Sequence, residues 1–196
     1  MLTLTRRAGE RILIGDDVEI SVVDVGRGKV RIGITAPRGL AVHRGEVVDR
    51  IVRENRAAAA SLAPARVSTC APTRIEVPAG LPGLRAHRVF EVYDVEGQPD
   101  LRQLVSVIDP LVSLCIVDAE LAAPGYPLEA ARTLVGVAAP DAIVVLVVTA
   151  PRDGRPSTVN LAAPIVIDVG SRTAAQVILE GVELPSSRPL GAVRAA

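Results

Sequence analysis

Arginine recurs beside alternating apolar residues in two short stretches, Met1-Leu2-Thr3-Leu4-Thr5-Arg6-Arg7 and Ala36-Pro37-Arg38-Gly39-Leu40-Ala41-Val42-His43-Arg44. A guanidinium can donate two parallel hydrogen bonds to O6 and N7 of a guanine, and backbone groups at strand ends can read other base edges. Neither stretch contains an aromatic residue; Phe90, Tyr93 and Tyr126 all come later. Nucleic-acid recognition here would rest on guanidinium forks and strand edges rather than on bases stacked against rings. Leu4 and Val42 would add apolar contact to a splayed-out base. Most strand arginines are simply solvated, so the pattern alone leaves both readings open.

Other chemistry is sparsely supplied. Cys70 and Cys115 are too few and too far apart for a disulfide framework or a zinc site. His43 and His87 are the only histidines and form no cluster in the sequence. No nucleophile–base pair or group of carboxylates stands out, so no enzyme, no cofactor and no metal is expected. Gly26-Arg27-Gly28-Lys29 lacks the spacing and following helix of a phosphate loop and reads as a hairpin turn. Asp109-Pro110 and Asp153-Gly154 are turn chemistry, and Asn160 reads as a backbone anchor through its side-chain amide. The start of the chain has no charged-then-apolar leader, and the longest apolar run, Ala142 to Val148, is far below the roughly 18 residues of a membrane span. A cytoplasmic protein that does not enter membranes is expected.

Two β-rich halves must position these residues. Ile12, Ile14, Val18, Ile20, Val22 and then Val30, Ile32, Ile34 alternate with period two, split by Gly15-Asp16-Asp17 and Gly26-Arg27-Gly28. That pattern predicts an antiparallel meander, flanked by short strands over the first residues and over 40–43. From Gly45 the apolar spacing turns helical at Val47, Val48, Ile51 and Val52, predicting a helix that can reach the Ala57–Ala60 stretch. Residues 57–72 read as the linker and 73–190 as a second domain. Its strands are predicted at 88–94, 101–107, 112–117, 142–149, 157–160, 164–168 and 173–179, with a short helix over 129–137. The chain after Leu184 reads as frayed, with 191–196 a tail. The fold class is therefore mainly β: a small antiparallel module with one C-terminal helix, then an antiparallel barrel-like domain.

Residues 1–56 hold 11 Lys and Arg against 8 Asp and Glu, and residues 57–196 hold 11 against 14, so a net charge of zero hides +3 beside −3. Either the basic half binds nucleic acid or the halves attract each other. A 56-residue module buries only about 60% of its unfolded surface, which favours dimerisation by exchanged strands.

Residues 1–56 resemble the carbon storage regulator (CsrA/RsmA) family through Leu4-Thr5-Arg6-Arg7, Gly9-Glu10, Ile14-Gly15, Val30-Arg31-Ile32-Gly33, Ala36-Pro37 and Val42-His43-Arg44 followed by a helix. The resemblance implies a strand-interleaved homodimer that binds GGA motifs in hairpin loops of messenger-RNA leaders and represses translation. It places Leu4, Arg6 and Arg7 of one chain with Val42, His43 and Arg44 of the other, and Ala36, Pro37 and Arg38 nearby.

Residues 73–190 resemble the flagellar assembly factor FliW through Ser157–Ile167, Gly80-Leu81-Pro82-Gly83 and Val117-Asp118. That resemblance implies flagellin as a partner, and the regulator itself as a second one. Here the two would meet within one chain, with Asn55 in Glu54-Asn55-Arg56-Ala57-Ala58 a candidate interdomain contact. The function implied by the two resemblances is a repressor of flagellin synthesis with a built-in antagonist that senses flagellin. The alternative is a flagellin-binding assembly factor or chaperone in which the first domain serves for dimerisation.

Overall fold

A computed structural model describes residues 1–37, 39–61, 72–136, 142–149, 157–180 and 187–190. The predicted turn at Asp153-Gly154, the thiol of Cys70, Arg38 and the 191–196 tail lie outside the described residues. The chain divides into two compact units, Met1–Arg44 and Gly45–Ala196.

In the first unit, β1 (Arg11–Ile14), β2 (Val18–Gly26) and β3 (Lys29–Thr35) form an antiparallel sheet in that order. The β2–β3 hairpin closes through Arg27 (φ 45°) and Gly28 (φ 76°), two left-handed residues that match the twist of the flanking strands. Cross-strand pairs Ile12–Ile20, Ile20–Ile34, Val22–Ile32 and Val25–Val30 put the alternating apolar residues on one face. That face stays open: Val25, Val30, Ile32 and Ile34 are all about half exposed. The predicted strands over the first residues and over 40–43 are not strands within this chain. A strand is held by a ladder to a neighbour, and the single-chain sheet ends at β1 and β3.

The second unit opens with α1 (Gly45–Ser61), so five residues of the predicted linker, 57–61, are helical. The strands that follow are β4 (Thr73–Glu76), β5 (Val89–Val95), β6 (Gln98–Ser106), β7 (Ser113–Asp118), β8 (Ala142–Thr149), β9 (Thr158–Asn160), β10 (Ile165–Asp168), β11 (Thr173–Gln176) and β12 (Ser187–Pro189). β10 pairs with β11 on one side and β8 on the other. β4, β5, β6, β7, β8, β10 and β11 thereby close into a seven-stranded barrel. Phe90, Leu104, Leu114, Ile116, Val147 and Ile165 fill its interior. α2 (Ala119–Ala122) and α3 (Leu128–Val135) cover the outer side of β7 and β8, packing Ala119 and Ala131 against Val117, Val144 and Leu146. β8 is buried on both faces, which explains its unbroken apolar run.

The chain after Leu184 departs from the frayed expectation, because Ser187–Pro189 pairs antiparallel with β9. Pro189 is tolerated because this strand lies at the end of the sheet.

α1 is part of this second unit's core. Val47 and Ile51 pack with Ala163 and Ile178, while Ala58 and Ala59 join the barrel interior beside Leu81 and Leu84. Gly83, at φ +84°, sits so close that an added Cβ would lie 2.9 Å from Val52 O and 3.3 Å from Val52 Cα. Gly83→Ala combines a left-handed penalty of about 1–2 kcal/mol with a clash against helix backbone, so its melting temperature should fall by about 4–8 °C in a thermal melt. An unchanged melt would mean that α1 does not press on the Gly80–Gly83 turn.

Candidate functional site

The seam between α1 and the barrel is polar at its centre. Asn55 is fully buried on α1. Its Nδ2 donates to Pro82 O at 2.8 Å and to Gln176 Oε1 at 2.7 Å. Gln176 Nε2 donates in turn to Ala163 O at 2.9 Å and, longer, to Asn55 Oδ1 at 3.4 Å. Arg56 Nε donates to Gly83 O at 3.2 Å, next to the same turn. The Pro82 and Gly83 carbonyls are thus read by consecutive residues of the helix.

Asn160 supplies the second anchor. Its Oδ1 accepts from the N–H groups of Ala162 and Ala163 at 2.9 and 3.1 Å, the backbone role its sequence context predicts. The same amide also donates from Nδ2 to Glu54 Oε2 at 2.5 Å, a contact that nothing in the local sequence signals. Burial against the barrel raises the Glu54 carboxyl above its ordinary value, while Arg50, Arg53 and the Asn160 hydrogen bond pull it back down. Among the described residues, Arg50 Nε is buried without a hydrogen-bond partner.

The described residues expected to face RNA all belong to the first unit and lie outside its three strands. Leu4 and Val42 are exposed apolar side chains at 40% and 42%. Arg6 and Arg7 are exposed; Arg6 Nη1 donates to Thr5 O, and the Arg7 N–H donates to Glu10 Oε2 at 2.7 Å. That last bond, with the Glu10 N–H returning to Arg7 O at 3.1 Å, shapes the turn through Gly9 that leads into β1. Ala36 is half-buried, Pro37 exposed, and His43 and Arg44 exposed. The two segments flank the sheet on either side in sequence. Val42-His43-Arg44 runs directly into α1 at Gly45.

Elsewhere the site chemistry is structural. His87 Nδ1 lies 2.8 Å from Ser106 Oγ, and Asp109 Oδ1 accepts from the Leu111 N–H at 3.1 Å in the predicted turn. Cys115 is buried, and desolvation pushes its thiol up to about 11, so it is a packing group rather than a nucleophile. Among the described residues no helix is long and apolar enough to cross a membrane. No group of three His, Cys, Asp or Glu side chains is gathered among them that would hold a metal.

A small antiparallel sheet with arginine-bearing flanks is followed by a helix docked on a closed barrel, a two-part β protein. Comparison with known proteins matches both parts. The family model described as the global regulator protein family, CsrA, covers residues 1–53, and that described as FliW protein covers residues 60–190. The translational regulator CsrA of Leifsonia xyli subsp. xyli is 58% identical over 59 residues, which are 30% of this chain and 69% of the relative. That of Pseudarthrobacter chlorophenolicus is also 58% identical over 59 residues, covering 75% of the relative, and that of Leptospira biflexa is 49% identical over the same length. A crystal structure of the flagellar assembly factor FliW superposes with a TM-score of 0.50 at 23% identity, over 60% of this chain and 84% of that one. The chain belongs to the CsrA family in its first part and to the FliW family in its second. α1 spans the gap between the two matches.

Asn55→Ala would leave the Pro82 carbonyl and Gln176 Oε1, both half-buried, without their donor, so it should cost about 1–3 kcal/mol in urea unfolding of the second unit. Glu54 carries a pH signature. A carboxyl whose folded pKa is raised contributes stability below its unfolded value, and that contribution is lost as pH rises through the folded one. Glu54→Gln keeps an acceptor for Asn160 without the charge, so it should melt no lower than wild type at pH 7. Its advantage should shrink as pH falls towards 4.5. A variant that melts lower at neutral pH and recovers in acid would reverse the assigned sign.

Proposed function

We propose that this chain is an RNA-binding translational regulator whose FliW-family barrel holds the regulator's own helix and thereby restrains RNA binding. The observation that supports this reading most is the Asn55 anchor. The helix that continues from Val42-His43-Arg44 is hydrogen-bonded through Asn55 to Pro82 and Gln176 of the barrel. Asn55 is thus the candidate interdomain contact of the two families. RNA is bound by Leu4, Arg6, Arg7, Ala36, Pro37, Arg38, Val42, His43 and Arg44, drawn from two chains of a homodimer, with GGA-containing loops of messenger-RNA leaders as the ligand. The open apolar face of β1–β3 supports the dimer, since a sheet with one unburied apolar face is completed by a second copy. Flagellin bound to the barrel releases the restraint. Tethering supplies an effective concentration of about millimolar, so a micromolar intrinsic contact would stay closed by about a thousandfold, or roughly 4 kcal/mol.

The test is a gel-shift titration of a GGA hairpin with the full chain, with and without flagellin, at two salt concentrations. Asn55→Asp places a charge in the buried seam and should undock α1, tightening RNA binding by about tenfold or more. Leu4→Ala with Arg44→Ala should abolish binding while leaving the dimer intact. Equal RNA affinity of wild type and Asn55→Asp would end the restraint reading. Failure of every form to bind at low salt would leave the first domain as a dimerisation handle for a flagellin-binding factor.

A further inference from the structure

The two ends of the barrel are unlike. At one end Leu81, Leu84, Ala58 and Ala59 close the interior. At the other the interior opens into a cavity of about 230 Å³. Its walls are Ile75, Val92, Ile116, Val145 and Ile167, all but Val92 fully buried members of the barrel core. Its mouth carries Arg102, Arg172 and Asp168. The cavity lies wholly within the second unit, and none of its residues belongs to the α1 seam.

The charges at the mouth are not equivalent. Arg102 pairs with Ile116 across the β6–β7 ladder, which puts it on the inward face, and its Nε lies 3.4 Å from Asp94 Oδ1. Asp168 is committed to its own turn, its Oδ1 accepting from the Gly170 and Ser171 N–H groups at 2.9 and 3.2 Å. A hydrogen bond from the Ser171 side chain, with these backbone bonds, holds its carboxyl below the usual range, so it stays ionised. Arg172 ends this turn at φ 57°, a left-handed position that favours glycine or asparagine, and its guanidinium has no ion pair among the described residues. Arg102 is balanced by Asp94, so Arg172 is the lining guanidinium left without an ion pair among the described residues, above an apolar well. The volume is below that of a drug-sized site, so the occupant is small.

We propose that the open end of the barrel is a binding site for a small amphipathic monoanion. Its hydrocarbon part enters the Ile75–Ile116–Ile167 well, and its carboxylate rests on Arg172. A guanidinium matches a carboxylate with two parallel hydrogen bonds, and the apolar walls strengthen that contact by excluding water. The site does not depend on the regulatory reading above.

The probe is octanoate, titrated against the full chain while isoleucine methyl resonances are followed by NMR, with octanol as the uncharged control. Octanoate should shift the methyls of Ile75, Ile116 and Ile167, and octanol should bind at least about tenfold more weakly. Arg172→Gln should remove that preference without changing the melting temperature, because the turn bonds of Asp168 do not use the guanidinium. Val92→Phe, which fills the well, should abolish binding of both probes. Equal affinity for octanol, or shifts confined to Ile32 and Ile34 on the open sheet, would overturn the proposal.

Discussion

One primary amide determines what the first half of the helix can touch. Asn55 is fully buried, and a buried amide left unpaired is costly, so its partners fix the register of α1 on the barrel. Apolar packing of Val47, Ile51 and Ala58 supplies attraction, but such contacts tolerate sliding by a turn. A two-point amide bridge to Pro82 and Gln176 does not. The glycine beside it, Gly83, lets the turn approach the helix backbone closely enough for those carbonyls to be reached. The polar contacts and the close approach depend on each other.

The barrel provides the rigidity that such a seam requires. Its seven strands close on themselves through the β8–β10 pairing, so the docking surface is not at a fraying edge. Asn160, which ends β9, and Ala163, in the short connection between β9 and β10, hold α1. Gln176 ends β11, on the strand that pairs with β10. The residues that grip the helix come from neighbouring strands at one end of a closed wall, while the opposite end remains hollow.

Much of this was legible in the residues. The period-two runs gave the first sheet and its hairpins, and the unbroken apolar stretch 142–148 fills all but the last residue of β8 because a doubly buried strand has no polar face to interrupt it. Asn160 was readable as a backbone anchor from the motif around it, and Asn55 was singled out by resemblance alone. Their partners were not. Gln176 lies 121 positions from Asn55, and Asn160 lies 106 from Glu54, distances at which no periodicity carries information. β12 was hidden because Pro189 reads as a strand breaker, a rule that an edge position suspends. The strands expected over the first residues and 40–43 fail for the opposite reason. Their alternation is genuine, but neither stretch pairs with the free edges of this chain's sheet at β1 and β3.

The helix that crosses from one family match to the other has a cellular corollary. Two proteins made separately have a ratio that follows the transcription, translation and turnover of each. In this polypeptide the ratio of the CsrA-family part to the FliW-family part is one to one by synthesis, at every level of expression. Under the proposed restraint, abundance drops out as a control variable, and only molecules that compete with or reshape the seam change its occupancy.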